Sequence, residues 1–123
     1  MYVMELKQHL RKFPEDYGVC VLFGLPMYIF DLTVQEDISV VYDLCCNSYV
    51  DYEWDCEHNQ LEYYDTVQKL LDKLDEVGDD KTLMMYDDGI CSSLSEVSDR
   101  VTNEKGELIR DTVFIIPLIH MIG

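Results

Sequence analysis

From Phe13 to Gln68 the chain contains no lysine and no arginine. The same stretch holds twelve acids: Glu15, Asp16, Asp31, Glu36, Asp37, Asp43, Asp51, Glu53, Asp55, Glu57, Glu62 and Asp65. Thirteen further acids and all nine bases lie elsewhere, so most of the net charge of −16 sits in one segment. Such a charge argues against direct binding to nucleic acid or to an anionic membrane, because like charges repel and no counterions are released. It favours a basic protein surface as partner.

Long apolar runs are also missing. The longest, Val113 to Ile119, is interrupted by Pro117 and is too short to span a bilayer. The start, Met1 to Phe13, carries Glu5, Lys7, Arg11 and Lys12 at helical spacing, without the apolar block or small-residue cleavage site of a signal peptide. The expected location is the cytoplasm, that of the host cell if the protein is viral. Five cysteines, Cys20, Cys45, Cys46, Cys56 and Cys91, make an odd count. With no leader and with apolar neighbours around Cys20 and Cys91, they read as free thiols and not as a disulfide framework.

Motifs of catalysis are absent as well. There is no Gly-rich phosphate loop, no Walker pattern and no EF-hand spacing. His9, His58 and His120 sit in no recognisable motif. Cys45, Cys56 and His58, with Cys46, are the only set resembling metal ligands, and adjacent cysteines on a strand face opposite ways. No cofactor, metal or enzymatic activity is therefore expected.

What the sequence does contain is a pattern that appears twice. Val3, Leu6, Leu10 and Phe13 recur at helical spacing, and Val67, Leu70, Leu74 and Val77 repeat them 64 residues later. Pro14 ends the first helix, and Gly78 is expected to cap the second. A strand follows each: Tyr17 to Phe23 and Thr82 to Tyr86. Gly24-Leu25-Pro26 and Asp87-Asp88-Gly89 then mark turns. Second strands are expected over Met27 to Val34 and Ile90 to Val97. In the third strands, Asp37 to Leu44 matches Asp111 to Leu118, the latter reached through a turn at Asn103 to Gly106. The fold class expected is α+β: two αβββ units, an internal repeat, packed into one compact domain with antiparallel sheets and an acidic strand between the units. The boundaries are 1–44 for the first unit, 45–65 for a Tyr-rich acidic connection and 66–123 for the second unit.

The start of the chain, a helix running into Phe13-Pro14-Glu15-Asp16 and then a Val-rich strand, resembles small acidic proteins of phages and prophages. The resemblance rests on Leu6, Leu10, Phe13, Pro14, Asp16, Val19 and Val21. By composition and size the chain is also similar to the acidic phage proteins that disarm restriction or CRISPR nucleases.

The connection holds a strictly alternating run, Val50-Asp51-Tyr52-Glu53-Trp54-Asp55-Cys56-Glu57. Read as a strand, it places Asp51, Glu53, Asp55 and Glu57 in one row, about 6.6–6.8 Å apart, close to the spacing of phosphates on an extended nucleic acid. Two readings stand: a solvated edge strand protected by charge, or a recognition surface. Tyr42, Tyr49, Tyr52, Tyr63, Tyr64 and Trp54 gather around it, and such residues suit interfaces. The partner-binding residues expected are Asp43, Tyr49, Asp51, Tyr52, Glu53, Trp54, Asp55 and Glu57. The function expected is that of an inhibitor or nucleic-acid mimic occupying the basic groove of a host nucleic-acid-binding protein, as in evasion of host defence. The alternatives are a structural or adaptor homodimer built through the third strands, and a small thiol or zinc protein.

Overall fold

The computed structural model describes residues 1–59 and 62–118. Helix α1 spans Val3–Leu10, and its apolar stripe, Val3, Leu6 and Leu10, is fully buried. The Tyr2 N–H donates to Glu5 Oε1 at 3.1 Å and so satisfies one orphan donor at the helix start. Helix α3 spans Val67–Asp75, with Thr66 Oγ1 accepting from the Lys69 N–H, and it buries Val67, Leu70 and Leu74. Between them a short helix α2, Tyr49–Trp54, runs straight into a π-helical turn, Asp55–Asn59. Among the described residues no helix is long and apolar enough to cross a membrane.

The six strands are β1 (Gly18–Phe23), β2 (Leu25–Gln35), β3 (Ile38–Ser48), β4 (Thr82–Asp87), β5 (Ile90–Ser98) and β6 (Thr112–Pro117). They close into one barrel in chain order. Within each run of three the pairing is antiparallel, but β3 meets β4, and β6 meets β1, in parallel. The protein is thus an α+β domain built on a single six-stranded sheet, in place of the antiparallel sheets expected. Three alternating strands leave the first and third running the same way, and a helical crossover then sets the next strand down parallel. Closure also removes every free edge at the seams.

Side chains alternate as the strand period requires. Val19, Val21, Met27, Ile29, Leu44, Leu83, Met85, Val113 and Ile115 point inward, and the stripes of α1 and α3 join them in one continuous core. The expected boundary after residue 44 falls inside β3, which continues to Ser48.

The two helices dock reciprocally. The Val3 N–H donates to Lys81 O, Met4 to Asp79 O, and Leu83 to Met1 O; 64 residues on, Val67 donates to Tyr17 O, Gln68 to Glu15 O, and Val19 to Asp65 O. Tyr2 bridges Thr82 as Thr66 bridges Gly18. Each helix start is thereby tied to the first strand of the other run. Two ion pairs of one lysine break this reciprocity. Buried Lys7 reaches Asp75 at 2.7 Å and Asp79 at 3.0 Å, fastening α1 to the end of α3. The hydrogen bond to Asp75, with that to Asp79, raises the Lys7 pKa, and the same hydrogen bond lowers that of Asp75.

Turn chemistry follows the sequence with one correction. Asp88 (φ 46°) and Gly89 (φ 82°) make the tight β4–β5 turn. Asn103 accepts from the Lys105 and Glu107 N–H groups, and Gly106 takes a φ of 78°. Gly78 is not a left-handed cap, because α3 closes at Glu76; a Cβ at Gly78 would lie 2.8 Å from Asp80 Oδ1. The third strands also align differently from expectation. Val41 stands opposite Thr82 where Thr112 stands opposite Gly18, so Val41 and not Ile38 takes the place of Thr112. The three-residue shift arises where Val34 pairs with Tyr42 but Gln35 pairs with Ile38. The β2–β3 hairpin consequently reaches past the start of β4, and its Val34, Ile38 and Val40 are exposed.

Candidate interaction surface

The expected acidic strand at Val50 to Glu57 is replaced by α2 and the π-helical turn. The alternation that suggested a strand also places like residues four apart, and four apart is one face of a helix. A closed barrel has no edge to offer a further strand, since β2 and β3 are already paired on both sides. The row of four carboxylates at phosphate-like spacing therefore does not form, because residues two apart on a helix point in different directions.

The inner side of this segment is aromatic. Tyr52 stacks on Tyr28 of β2 with ring centroids 4.2 Å apart, and Tyr63 meets Tyr52 edge-on at 4.8 Å. The Tyr52 hydroxyl donates to Asp65 Oδ2 at 2.8 Å, and the Asn47 amide donates to the Tyr63 hydroxyl at 2.9 Å. That bond to Asp65, together with burial, pushes the Tyr52 pKa well above its ordinary value. The Tyr64 N–H donates to Ile29 O, which holds the following segment against β2. Tyr52 is thus a half-buried buttress that ties α2 to the barrel. Tyr63 belongs to the tyrosines expected around this segment, and Tyr28 joins them from outside that set. Tyr28 was legible as the outward residue between inward Met27 and Ile29.

The outer side is solvated. Glu53, Cys56, Glu57 and His58 are exposed, and Trp54 keeps 56% of its surface open. The His58 ring stacks on the Trp54 indole at 3.8 Å and 13°, with Nδ1 3.2 Å from Trp54 O. The side chains of Tyr49, Asp51 and Asp55 lie outside the described residues, as does His120.

Asp43 belongs to a different patch, the outer wall of the barrel. It accepts from Gln35 Nε2 at 2.7 Å and sits in one cross-strand row with Thr33 and Met84. The next row holds Asp31, Cys45, Tyr86 and Cys91. Burial raises the Cys45 pKa, with Thr33 Oγ1 3.5 Å from its sulfur acting the other way. Cys91 is exposed despite its apolar neighbours in sequence, because Ser92 and Leu94 take the inward positions of β5. Cys45 and Cys91 flank Tyr86 from two strands away, about 9.5 Å between backbones and beyond disulfide reach. The weak metal candidates do not meet: Cys45 lies on this wall, Cys56 beside Tyr52, and His58 on Trp54. Among the described residues no three His, Cys, Asp or Glu side chains are placed to hold an ion.

A groove of about 350 Å³ runs between α3 and the segment before it, lined by Glu62, Tyr64, Lys69, Asp72, Lys73 and Glu76. Its cations are engaged: Lys69 with Asp65 at 3.2 Å, Lys73 with Glu76 at 3.2 Å and over the Tyr64 ring at 5.7 Å. The groove is mixed in charge and presents no chemistry of its own.

Charge segregation is the feature that unites these patches. None of the six strands carries a lysine or arginine, nor does the connection from β3 to α3. The nine bases lie on or beside α1 and α3, just before β4, or in the connection from β5 to β6. No protein family, curated protein or solved structure matches this chain.

Proposed function

We propose that this chain is a non-enzymatic acidic binding protein that docks on a cationic surface of another protein and blocks the nucleic-acid groove there, as acidic phage inhibitors of like composition and size do. The observation that carries the reading is the segregation of charge: the whole barrel wall and the α2 connection are free of bases. Ordinary solvated surfaces mix both signs, and a surface of one sign raises self-repulsion in exchange for faster and more selective association with its opposite. The carboxylates act as a field, from Asp31, Asp43, Asp87 and Glu96 on the strands, Glu36 and Asp37 at the β2–β3 turn and Glu53, Glu57 and Glu62 on the connection.

Affinity capture at low and high ionic strength, followed by displacement of nucleic acid from the captured protein, tests this. Asp37→Lys in the β2–β3 turn combined with Asp43→Lys on the wall is expected to weaken binding by about tenfold or more at low salt. Glu104→Lys combined with Glu107→Lys, on the base-bearing side, is expected to leave it unchanged. Equal losses from the two double variants, or a partner that keeps its nucleic acid, would refute the proposal.

A second reading, self-association, is supported by the exposed Val34, Ile38 and Val40 on the overhanging hairpin. Sedimentation equilibrium separates the two. The inhibitor reading expects a monomer whose mass is unaffected by Val40→Glu; a dimer that this variant dissociates would favour the adaptor instead.

We further infer that the two αβββ runs descend from one duplicated unit. The helix-to-strand hydrogen bonds that repeat at a 64-residue shift support it.

A further inference from the structure

The structure points to a more specific feature of that partner. We infer that the outward face of α2 and its π-helical turn is a seat for an arginine side chain, with the Trp54 indole as the platform and Glu57 as the flanking carboxylate. The inference rests on the binding role proposed above and names the group that this part of the surface takes.

Trp54, Glu57 and His58 stand three and four apart, the spacing that gathers side chains on one helical face. All three are exposed. A tryptophan left open to 56% on a six-residue helix is large apolar area that the fold itself does not use. Its neighbour Tyr52, by contrast, is committed inward by Tyr28, Tyr63 and Asp65. The π-helical turn, a rare element that recurs at functional sites, carries His58 under the indole at 3.8 Å. One face of the indole is thus covered and its ring fixed, which leaves the other face for a ligand. Tryptophan is the aromatic that holds a cation most strongly, and a guanidinium also stacks flat on it. Carboxylates beside such a stack accept the guanidinium N–H groups. Lysine, a compact and strongly hydrated charge, gains less from a flat platform. The base-free stretch from Phe13 to Gln68 leaves no arginine nearby in sequence to occupy the seat.

The chain has a single tryptophan, so its emission reports on this seat alone. The probe is a short arginine homopeptide, with the lysine homopeptide of equal length as comparison, both also made with a fluorescent label. Arginine peptide is expected to change Trp54 emission saturably at physiological ionic strength and to bind more tightly than lysine peptide. With the labelled peptide, Trp54→Ala is expected to weaken binding about tenfold and Glu57→Gln about threefold. Glu107→Gln, which removes an equal charge elsewhere, is expected to change nothing. Binding of labelled peptide with no emission response, or equal losses from Glu57→Gln and Glu107→Gln, overturns the arginine seat while leaving the acidic-surface reading intact. Failure of both peptides to bind at any ionic strength overturns both readings.

Discussion

Leu70→Ala is expected to lower the stability of the fold by about 3–4 kcal/mol, a large part of the 5–15 kcal/mol typical of a domain. Leu70 is fully buried in α3 and belongs to the same core as the inward side chains of the strands. Truncation there removes buried methyl groups and leaves a space that a closed barrel cannot collapse to fill, because each neighbouring strand is held on both sides. Leu71, the next residue, is only partly buried, and Leu71→Ala is expected to cost no more than about 1–2 kcal/mol. Urea denaturation of both variants measures the contrast. Equal losses would mean that the helical stripe is not what seats α3.

The second large effect is a loss of stability in alkali. Burial raises the Cys20 pKa to about 11, with the Tyr28 hydroxyl opposing it, and raises that of Cys46 to about 12. Both thiols titrate from 9.0 when free of the fold. The neutral thiol is the form the core accepts, so the unfolded chain loses these protons first as pH rises. The contribution of each thiol is complete below pH 9, declines from there, and is gone once the folded pKa is passed. The shifts correspond to about 3 kcal/mol for Cys20 and about 4 kcal/mol for Cys46. The midpoint of urea unfolding should therefore hold steady up to pH 9 and fall above it. Cys46→Ala should flatten the fall while lowering stability at neutral pH, since it leaves a small void. A slope that Cys46→Ala does not alter would place the titrating group elsewhere.

Most of the fold was legible because its signals are local. The stripes Val3, Leu6, Leu10 and Val67, Leu70, Leu74 mark helices by period, and Asp88-Gly89 marks a hairpin by backbone chemistry. Closure into one barrel was not legible, because the parallel β3·β4 and β1·β6 ladders join residues far apart in sequence and leave no trace in any single window. The site was read less well. An alternation of apolar and acidic residues over Val50 to Glu57 satisfies a strand and, through the pairs Tyr52 with Cys56 and Trp54 with His58, satisfies a helix too. What decided between them was the lack of a vacant strand edge, a tertiary fact. For the same reason Tyr52, expected at the partner, turned inward onto Tyr28 of the barrel. The charge segregation was partly visible as the base-free run. Its extent became clear only when β4, β5 and β6, equally without bases, took their places in the same wall.

The β1·β6 seam pairs the first strand made with the last. During synthesis the nascent chain can lay down β1 through β5 but must wait for Thr112–Pro117 before the cylinder shuts. Until then the flanks of β1 and β5 stand open and strand-hungry, and a chaperone has a defined target.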